Sequence, residues 1–222
     1  MPDVVEPRLL SDVEFFEGFE GEALDELVAA AETRSYSRND IVFTEGDTAA
    51  ELFVVESGRI AIANKSDDGR ESVVALMERG DLFGEMPLFD RLARSAEARA
   101  LEPSTATAIP YAPLRAIYEA RPELLWNVVS LLATRLRSTD EQLADSVFLD
   151  VTGRTAKRLL ELAGDADEFS LPITQEELAG MVGASRERVN KAIASFVRLG
   201  WIEQAERRYR ITNREQLSRR SR

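Results

Sequence analysis

The chain has 222 residues, 44% of them hydrophobic and 31% charged, which is enough for one or two compact domains. It contains neither Cys nor His, which excludes disulfides, thiol nucleophiles and the commonest general base and metal ligand of proteins. It has no apolar run of about 18 residues and its first residues are acidic and polar, so we expect a cytoplasmic protein without a signal peptide or membrane span.

The charge is unevenly distributed along the chain. Residues 1–149 carry 14 Lys and Arg against 29 Asp and Glu, a net charge of −15, whereas residues 150–222 carry 14 against 11, a net charge of +3. From Ala184 to the end the count is 11 against 4, a net charge of +7. A basic C-terminal part behind an acidic remainder is typical of a protein that meets nucleic acid at one end.

The N-terminal part predicts short helices followed by a β-rich domain. Apolar positions in residues 9–33 indicate one or two short helices with acidic outer faces. Residues 34–110 contain short apolar runs separated by glycines, and Asp68-Gly69 is a good hairpin turn. The predicted strands lie at 41–43, 52–55, 60–63, 72–76 and 95–100. Repeated short strands favour a barrel or roll with a lined pocket.

One stretch, residues 80–95, combines groups suited to a sugar phosphate. Gly84 permits a tight turn, and backbone N–H groups of a helical turn after it could hold an anion. Arg94 offers a forked cation for a phosphate with the Ser95 hydroxyl beside it, and Glu85 offers an acceptor for ribose hydroxyls. The alternative is an ordinary surface loop with a Glu85–Arg94 ion pair.

Three prolines, Pro110, Pro113 and Pro122, precede a long predicted helix that begins at Glu123. Seam positions on this helix follow spacings of 4, 3, 4, 3 and 4, and they are Leu125, Val129, Leu132, Leu136, Thr139 and Leu143. A 3.5-residue repeat predicts coiled-coil pairing in a two-fold homodimer. The alternative is an ordinary amphipathic helix, and the wider stripe formed by Leu124, Val128 and Leu131 indicates that the helix also packs on its own domain.

The C-terminal part predicts a helix-turn-helix. Asp150 or Thr152 is expected to cap a helix over 155–162, and 164–168 form an acidic loop. A capping box from Thr174 to Glu177 begins a short helix, Gly183-Ala184 makes a turn, and Ser185 caps a second helix through about Leu199. The inner stripe of the second helix is predicted to be Val189, Ile193, Phe196 and Val197.

The start of the second helix is suited to the major groove of DNA. Arg186 could read guanine in bidentate fashion, and Glu187 could accept from a cytosine amino group. The segments Trp201-Ile202-Glu203 and Tyr209-Arg210-Ile211 flank a short link and predict a wing hairpin, with Arg207, Arg208 and Arg210 available for phosphates or simply solvated. We expect the basic end, residues 214–222, to be frayed.

The stretch 84–95, and the run Gly-Ala-Ser-Arg-Glu-Arg-Val-Asn-Lys at 183–191, resemble the phosphate-binding cassette and the recognition helix of the cAMP receptor protein (CRP/FNR) family of bacterial transcription regulators. The similarity runs from about Leu10 to Arg222. It implies an α+β fold, with an N-terminal cyclic-nucleotide-binding β-roll sensor, a long dimerisation helix and a C-terminal winged helix-turn-helix. The expected boundaries are 1–118, 119–148 and 149–222.

The resemblance also implies a ligand site and a DNA site. The nucleotide would be bound by Gly84, Glu85, Met86, Arg94, Ser95, Ile62, Val74, Thr139 and, from the partner subunit, Asp140. Family members usually carry Ser or Asn where this chain has Asp140, which leaves the base identity open. The DNA site would comprise Thr174, Ser185, Arg186, Glu187, Arg188, Asn190, Lys191, Arg207 and Arg208, with Lys191 replacing the Arg of the best-known members.

The expected protein is a homodimeric, sequence-specific transcription regulator controlled allosterically by a cyclic nucleotide, with cAMP as the effector. Its expected partners are double-stranded DNA with a palindromic operator and RNA polymerase, with no membrane, metal, haem or iron–sulfur cluster. The alternative is the same DNA-binding regulator that is constitutive or responds to another small anionic ligand. The chain lacks Gly-x-x-x-x-Gly-Lys-Ser/Thr and Gly-x-Gly-x-x-Gly, and we expect no enzymatic activity.

Overall fold

A computed structural model describes residues 10–66, 71–171 and 173–222. The chain divides into two compact units, Met1–Leu136 and Arg137–Arg222. The hairpin turn predicted at Asp68-Gly69 lies outside the described residues. Within the described ranges, no helix is both long enough and apolar enough to cross a bilayer.

The first unit is built on two antiparallel sheets with strand orders β1-β8-β3-β6 and β2-β7-β4-β5. The strands are β1 (Glu32–Tyr36), β2 (Ile41–Phe43), β3 (Glu51–Ser57), β4 (Ile60–Lys65), β5 (Glu71–Met77), β6 (Leu82–Phe83), β7 (Glu97–Ala100) and β8 (Ser104–Pro110). Most neighbours in each sheet are distant in sequence, which gives a roll rather than a set of simple hairpins. The predicted β-rich domain is confirmed.

Helices complete this unit and bury its larger hydrophobic cluster. They are α1 (Glu22–Ala30), α2 (Met86–Asp90), α3 (Tyr111–Ala120) and α4 (Leu125–Phe148), and the last begins in the first unit. A 3₁₀ turn, Glu14–Phe16, places Phe15 and Phe16 in the core, where Phe15 meets Tyr118 edge to face. Short helices at the N-terminal end were predicted, and the structure confirms them.

A second hydrophobic cluster fills the inside of the roll beneath the 84–95 stretch. Its aromatic part is a trio of rings, Phe43, Phe53 and Phe83, with centroids 5.2 to 5.9 Å apart. Small residues from β7 and β8, such as Ala98 and Ala106, let the two sheets approach over these rings. The trio forms an apolar floor for the cassette.

Helix α4 uses one face for its own domain, as predicted. Leu124, in the preceding 3₁₀ turn, and Val128 are buried in the larger cluster, and Leu131 packs against it. The positions of the 3.5-residue seam lie on a different face of the helix. The packing of α4 on its own domain therefore leaves the seam uncovered.

The second unit is a winged helix-turn-helix. Its helices are α5 (Val151–Ala163), α6 (Gln175–Val182), α7 (Arg186–Arg198) and α8 (Arg214–Arg220). Its strands β9 (Glu168–Ser170), β10 (Ile202–Ala205) and β11 (Arg208–Ile211) form a sheet in the order β10-β11-β9. The wing hairpin is confirmed, whereas β9 was not predicted because it begins at Glu168, the last residue of the predicted acidic loop.

The predicted caps of this unit are present. The Asp150 carboxylate accepts from the Gly153 N–H (2.8 Å), and α5 consequently begins at Val151 rather than at the predicted Thr155. Thr174 and Glu177 form both bonds of the capping box at α6. Gly183 ends α6 in the left-handed region, with φ of 65°.

Two expectations about the second unit are wrong. Val197 is exposed, and Ala192 takes its place among the buried residues of α7, because the 3.6-residue period carries position 197 away from the stripe. The C-terminal end is not frayed in the structure: it forms α8, whose Leu217 is fully buried, and Arg220 pairs with Asp150. A single leucine among arginines was too weak a sequence signal for this helix.

Candidate ligand pocket and DNA-binding surface

Arg94 lies inside the first unit with only 5% of its surface exposed. Its Nη1 donates to the Gly84 carbonyl (2.7 Å) and to the Tyr111 hydroxyl (3.1 Å), and its Nη2 donates to the Glu51 carbonyl (2.8 Å). The guanidinium carbon stands 4.0 Å above the centre of the Phe43 ring, a cation–π contact. Its hydrogen-bond acceptors among the described residues are thus neutral groups, two carbonyls and a hydroxyl.

Gly84 brings its backbone close to the Arg94 guanidinium. Its φ is 77°, a conformation that glycine adopts without strain. A Cβ at this position would lie 2.6 Å from Arg94 Nη1 and 3.3 Å from the Phe43 ring. Glycine is therefore required here both by the backbone conformation and by the close approach of the arginine.

Glu85 is 1% exposed and pairs with a residue that the sequence analysis did not single out. Its Oε1 accepts from Arg135 Nη1 of α4 at 2.5 Å, and Arg135 Nη2 donates to the Leu82 carbonyl. The alternative of a Glu85–Arg94 ion pair is not what the structure shows, because these two side chains have different partners. Arg135 ties α4 to the cassette within the first unit.

Two buried polar atoms of the cassette, the donor Arg94 Nε and the acceptor Glu85 Oε2, have no hydrogen-bond partner within the described ranges. Buried polar atoms in folded proteins are nearly always bonded, so each such exception calls for an explanation. An unmet cationic donor suits an anionic oxygen, and an unmet carboxylate oxygen suits a hydroxyl. The cassette thus offers complementary atoms to a phosphate and to a sugar hydroxyl.

The other predicted ligand residues lie at several places. Ser95 and Met86 lie within the cassette and are exposed, with Ser95 Oγ 3.7 Å from Met86 Sδ. Ile62, on β4, packs partly buried against the inner cluster, and Val74 is the extra residue of a bulge in β5 opposite Ile62 and Ala63. The structure brings the cassette residues together above the same roll.

Thr139 and Asp140 belong to the second unit, on the exposed part of α4. Their contribution to the ligand site stays a prediction.

Two residues of the pocket were missed, Arg135 and Tyr111. Arg135 lies four residues before Thr139 on the same helix, so the two side chains share a face, and that spacing was the available signal. Tyr111 carried no signal, because its hydroxyl reaches Gly84 and Arg94 only through the way the sheets fold. Burial raises the pKa of Tyr111 to about 12, with Arg94 acting in the opposite direction.

The predicted seam of α4 is a row of exposed apolar side chains. Leu125, Val129, Leu132, Leu136 and Leu143 have exposed fractions between 37% and 63%. Beyond them Val147 and Phe148 continue the apolar surface to the end of the helix. A contiguous apolar surface of this kind marks an interaction site more often than a solvated face.

The recognition helix α7 presents its predicted readers to solvent. Arg186, Glu187, Arg188, Asn190 and Lys191 are all exposed, whereas Val189, Ala192 and Ile193 hold the opposite face in the core. The Ser185 hydroxyl accepts from the Arg188 N–H at 3.4 Å, which caps the helix at the end expected to enter the groove.

Two of the predicted base readers contact each other. Lys191 Nζ lies 2.7 Å from Glu187 Oε1, one helical turn apart. The hydrogen bond from Lys191, together with its charge, lowers the pKa of Glu187. Both side chains are exposed, so the pair is weak and DNA can compete for either member.

The remaining side chains predicted to contact DNA differ in whether they already bond to other parts of the protein. Arg207 Nη2 donates to the carbonyls of Leu171 and Ile173 at 3.3 Å each, so this side chain also holds the wing to the chain before α6. Arg208 is exposed on β11. The Thr174 hydroxyl accepts from the Glu177 N–H in the capping box, which is a structural role.

Comparison with protein families identifies both units. Residues 33–121 match the cyclic nucleotide-binding domain, and residues 153–220 match the Crp-like helix-turn-helix domain. Together the two matches cover more than half of the chain. They coincide with the roll that carries the cassette and with the unit that carries α6 and α7.

Relatives resemble the chain over nearly its whole length. It is 37% identical to the CRP-like cAMP-activated global transcriptional regulator of Mycobacterium tuberculosis, over 97% of this chain and 99% of that protein. It is 35% identical to the cAMP-activated global transcriptional regulator Vfr of Pseudomonas aeruginosa, over 81% of this chain and 88% of that protein. Among solved structures, the c-di-GMP responsive global regulator CLP of Xanthomonas campestris is 26% identical with a TM-score of 0.75, over 86% of this chain and 99% of CLP.

The cyclic nucleotide-binding roll, the long helix and the Crp-like helix-turn-helix are thus present in one chain that matches a relative over 97% of its own length. The chain belongs to the CRP/FNR family of bacterial transcription regulators, which are DNA-binding regulators and not enzymes.

Proposed function

We propose that the protein is a homodimeric transcription regulator whose affinity for a specific DNA sequence is controlled by a cyclic nucleotide, with cAMP as the effector. Residues 1–118 are the sensor, residues 119–148 the dimerisation helix, and residues 149–222 the DNA-binding domain. The ligand contacts are those of the cassette together with Ile62, Val74, Thr139 and Asp140.

The observation that carries the ligand assignment is the pair of atoms in the cassette left without a partner among the described residues, Arg94 Nε and Glu85 Oε2. A buried guanidinium without a carboxylate partner is costly, and an anion beside it would relieve that cost. A cyclic nucleotide carries a phosphate acceptor and a ribose 2′-hydroxyl donor close together. One molecule therefore satisfies both groups.

The choice of cAMP rests on the relatives, and the base end of the site is compatible with it. Thr139 and Asp140 lie in the exposed part of α4, and a carboxylate there accepts a hydrogen bond from the exocyclic amine of adenine. The regulators of Mycobacterium tuberculosis and Pseudomonas aeruginosa are both named as cAMP-activated. Guanine also carries an exocyclic amine, so the choice of adenine over guanine rests on these relatives.

The two-fold dimer explains the exposed seam. Pairing of two α4 helices buries the leucines and the valine of each copy, and a buried leucine contributes about 1.5–3 kcal/mol. A two-fold dimer also places the two recognition helices on successive major grooves, about 34 Å apart, which calls for a palindromic operator. RNA polymerase is the partner expected once the regulator is bound beside a promoter.

Control by the nucleotide requires that it binds the DNA-competent conformation more tightly than the other conformation. Arg135 gives a physical connection for such control, because it belongs to α4 and contacts Glu85 of the ligand site. A ligand hydroxyl that engages Glu85 changes the surroundings of the Arg135 guanidinium. Binding of the nucleotide in the cassette therefore changes a contact made by the dimer helix.

The test is a calorimetric titration of the full chain with cAMP and, for comparison, cGMP. We expect saturable binding of one cAMP per chain with preference over cGMP. The Arg94→Ala variant should lose measurable binding while its circular dichroism spectrum remains that of a folded chain, with a lower melting temperature because three buried hydrogen bonds are lost. Equal nucleotide affinity in that variant would refute the cassette as the binding site.

A second candidate keeps the DNA-binding function and changes or removes the effector. It is favoured by Asp140, which adds a negative charge at the base end, and by the occupied Nη groups of Arg94, which already have protein acceptors. The related CLP regulator is described as responsive to c-di-GMP. Titration with c-di-GMP, and DNA binding in the absence of any nucleotide, separates these possibilities.

A further inference from the structure

Tyr111 lies behind the cassette, and its hydroxyl completes a triangle with two cassette groups. It donates to the Gly84 carbonyl and accepts from Arg94 Nη1 at 3.1 Å, while the same Arg94 nitrogen donates to the Gly84 carbonyl at 2.7 Å. The Glu51 carbonyl accepts a hydrogen bond from Arg94 Nη2 at 2.8 Å. Two of the three guanidinium nitrogens are thus fixed by the protein, and Nε is the one that meets no acceptor in the part of the chain that the structure describes.

The side of the pocket that holds these acceptors is rigidly built. Tyr111 is the first residue of α3, and its backbone N–H donates to the Ala50 carbonyl (2.8 Å). Glu51 pairs with Pro110 in the β3–β8 ladder, and its carboxylate receives two bonds from Arg34, at 2.6 and 3.0 Å. Two of the three acceptors for Arg94, those of Tyr111 and Glu51, therefore stand on a helix and a strand end that are held in place independently of Arg94.

The Tyr111 hydroxyl is suited to this task in its neutral form. A neutral hydroxyl donates one hydrogen and accepts at its lone pairs, which matches one bond to Gly84 and one from Arg94. Burial raises the pKa of Tyr111 to about 12, so the hydroxyl keeps its hydrogen throughout the physiological range. A phenolate would lose the bond to Gly84.

We propose that Tyr111 is a positioning residue of the ligand site, which orients the Arg94 fork so that its Nε edge is available to the phosphate of the nucleotide. This inference rests on the proposed function and adds to it a residue outside the 84–95 stretch. Tyr111 acts through Arg94 and does not itself bind the nucleotide. Fixing a long arginine before the ligand arrives lowers the conformational entropy lost on binding.

The chain provides a matched control in the same helix. Tyr118 is as buried as Tyr111, each being 6% exposed, yet its hydroxyl has no hydrogen-bond partner among the described residues and its ring packs among Phe15, Phe19 and Phe89. Tyr118→Phe therefore removes the same atom at the same burial, while the ring that packs on Phe89 and the hydrogen bonds of Arg94 stay in place.

The experiment measures the cAMP affinity and the melting temperature of the full chain with Tyr111→Phe or Tyr118→Phe. For Tyr111→Phe we expect an affinity loss of about tenfold, at the lower end for a lost bond to a charged group, and no comparable loss for Tyr118→Phe. The same two changes are then made in an Arg94→Lys background. Lysine has no guanidinium fork to orient. In the Arg94→Lys background, Tyr111→Phe should therefore change the cAMP affinity by less than about twofold, because the arginine through which Tyr111 acts is already gone.

The outcomes separate the inference from the function on which it rests. Unmutated protein that binds cAMP, together with a Tyr111→Phe variant of equal affinity, overturns the inference alone. A Tyr111→Phe loss that is the same with and without the Arg94→Lys change also overturns it, because Tyr111 would then act through the fold and not through the arginine. If the unmutated protein binds neither cAMP nor cGMP, both the proposed function and the inference are refuted.

Discussion

At the scale of single residues, Gly84 shows how backbone conformation and ligand binding are coupled in the cassette. Its neighbour Gly80 also has a positive φ, 89° against 77°, but a Cβ on Gly80 would meet nothing within 4 Å among the described atoms. On Gly84 the same atom would lie 2.6 Å from Arg94 Nη1. Both glycines have a left-handed backbone conformation, but only Gly84 lies against the Arg94 guanidinium.

We predict that Gly84→Ala and Gly80→Ala both destabilise the fold, by roughly 1–2 kcal/mol for an L-residue in the left-handed region. Only Gly84→Ala should also abolish nucleotide binding, because the new methyl group displaces the Arg94 guanidinium. Calorimetric titration and thermal unfolding of both variants check this. Retained affinity in Gly84→Ala, or an equal loss in Gly80→Ala, would contradict the geometry of the cassette.

The recognition helix allows a second prediction at this scale. Arg186 is exposed at the first turn of α7, and Arg188, two residues further, is also exposed but points to a different side of the helix. Arg186→Ala should cost about 1–3 kcal/mol of DNA binding and relax the preference at one base pair, whereas Arg188→Ala should weaken binding evenly across sequences. Affinities for a set of single-base operator variants at constant salt distinguish the two. A uniform loss for Arg186→Ala would mean that it contacts only phosphate.

The sequence predicted which residues of the cassette converge but not what they contact. Gly84, Glu85 and Arg94 were recognisable because their chemistry is concentrated in a dozen residues. The partners of those side chains are Arg135, Tyr111 and the Glu51 carbonyl, which come from distant elements. No local pattern specifies which of two arginines a buried glutamate will meet, and the alternative of a Glu85–Arg94 pair failed for that reason.

At the scale of elements, the start of α5 is held by three parts of the chain. Asp150 caps the helix, Arg220 of α8 pairs with its carboxylate, and the Arg154 Nη1 donates to the Leu149 carbonyl at 2.8 Å. Gly153 leaves room for α8, because a Cβ there would lie 3.1 Å from the Arg220 carbonyl. The helix that sequence patterns left out therefore stabilises the segment between α4 and α5.

We predict that Asp150→Ala lowers the stability of the second unit at neutral pH by about 0.5–2 kcal/mol, the usual value for a lost N-cap. The Gly153 N–H and Arg220 lower the pKa of Asp150 in the folded state. Its contribution is therefore full above the unfolded-state pKa, about 3.9, and is lost as the pH falls through the folded-state pKa. The stability difference between the unmutated chain and Asp150→Ala should thus shrink in acid.

Urea unfolding at pH 7 and in acid tests this prediction. The chain has two tryptophans, Trp126 and Trp201, so a Trp126→Phe background leaves Trp201 as the fluorescence reporter in the second unit. Asp165→Ala, in the exposed acidic loop, removes one negative charge without removing a cap and serves as control. A stability difference for Asp150→Ala that does not change with pH would argue against the carboxylate as the source.

At the scale of the whole molecule, the exposed seam of α4 is the surface on which the proposed dimer depends. Leu136 is 62% exposed in the middle of the seam, and Thr134, two residues away, is exposed on another face of the helix. We predict that Leu136→Glu converts a dimer into a monomer of 24.8 kDa, whereas Thr134→Glu remains dimeric. A glutamate buried in the seam of each copy would place two like charges in an apolar contact. Light scattering after gel filtration measures the mass. A Leu136→Glu variant that is still dimeric would show that the dimer interface lies elsewhere.

The sequence predicted the fold more completely than it predicted the contacts of the ligand site. Glycine-punctuated strands, a 3.5-residue seam and two helix caps predicted the roll, the long helix and the helix-turn-helix, because each of these signals is local. The strand β9 and helix α8 are stabilised by contacts with β11 and α5, and nothing in their own residues was sufficient to predict them.

Occupancy of the cassette is proposed to change the affinity of the recognition helices for DNA. The most direct measurement is the fluorescence anisotropy of a labelled duplex, selected by the protein from a random pool, titrated with protein at fixed salt with and without saturating cAMP. We predict that cAMP tightens DNA binding of the unmutated chain by between about 5-fold and 150-fold, the usual range of allosteric coupling, and leaves Arg94→Ala unchanged. The same DNA affinity with and without cAMP in the unmutated chain would contradict the account.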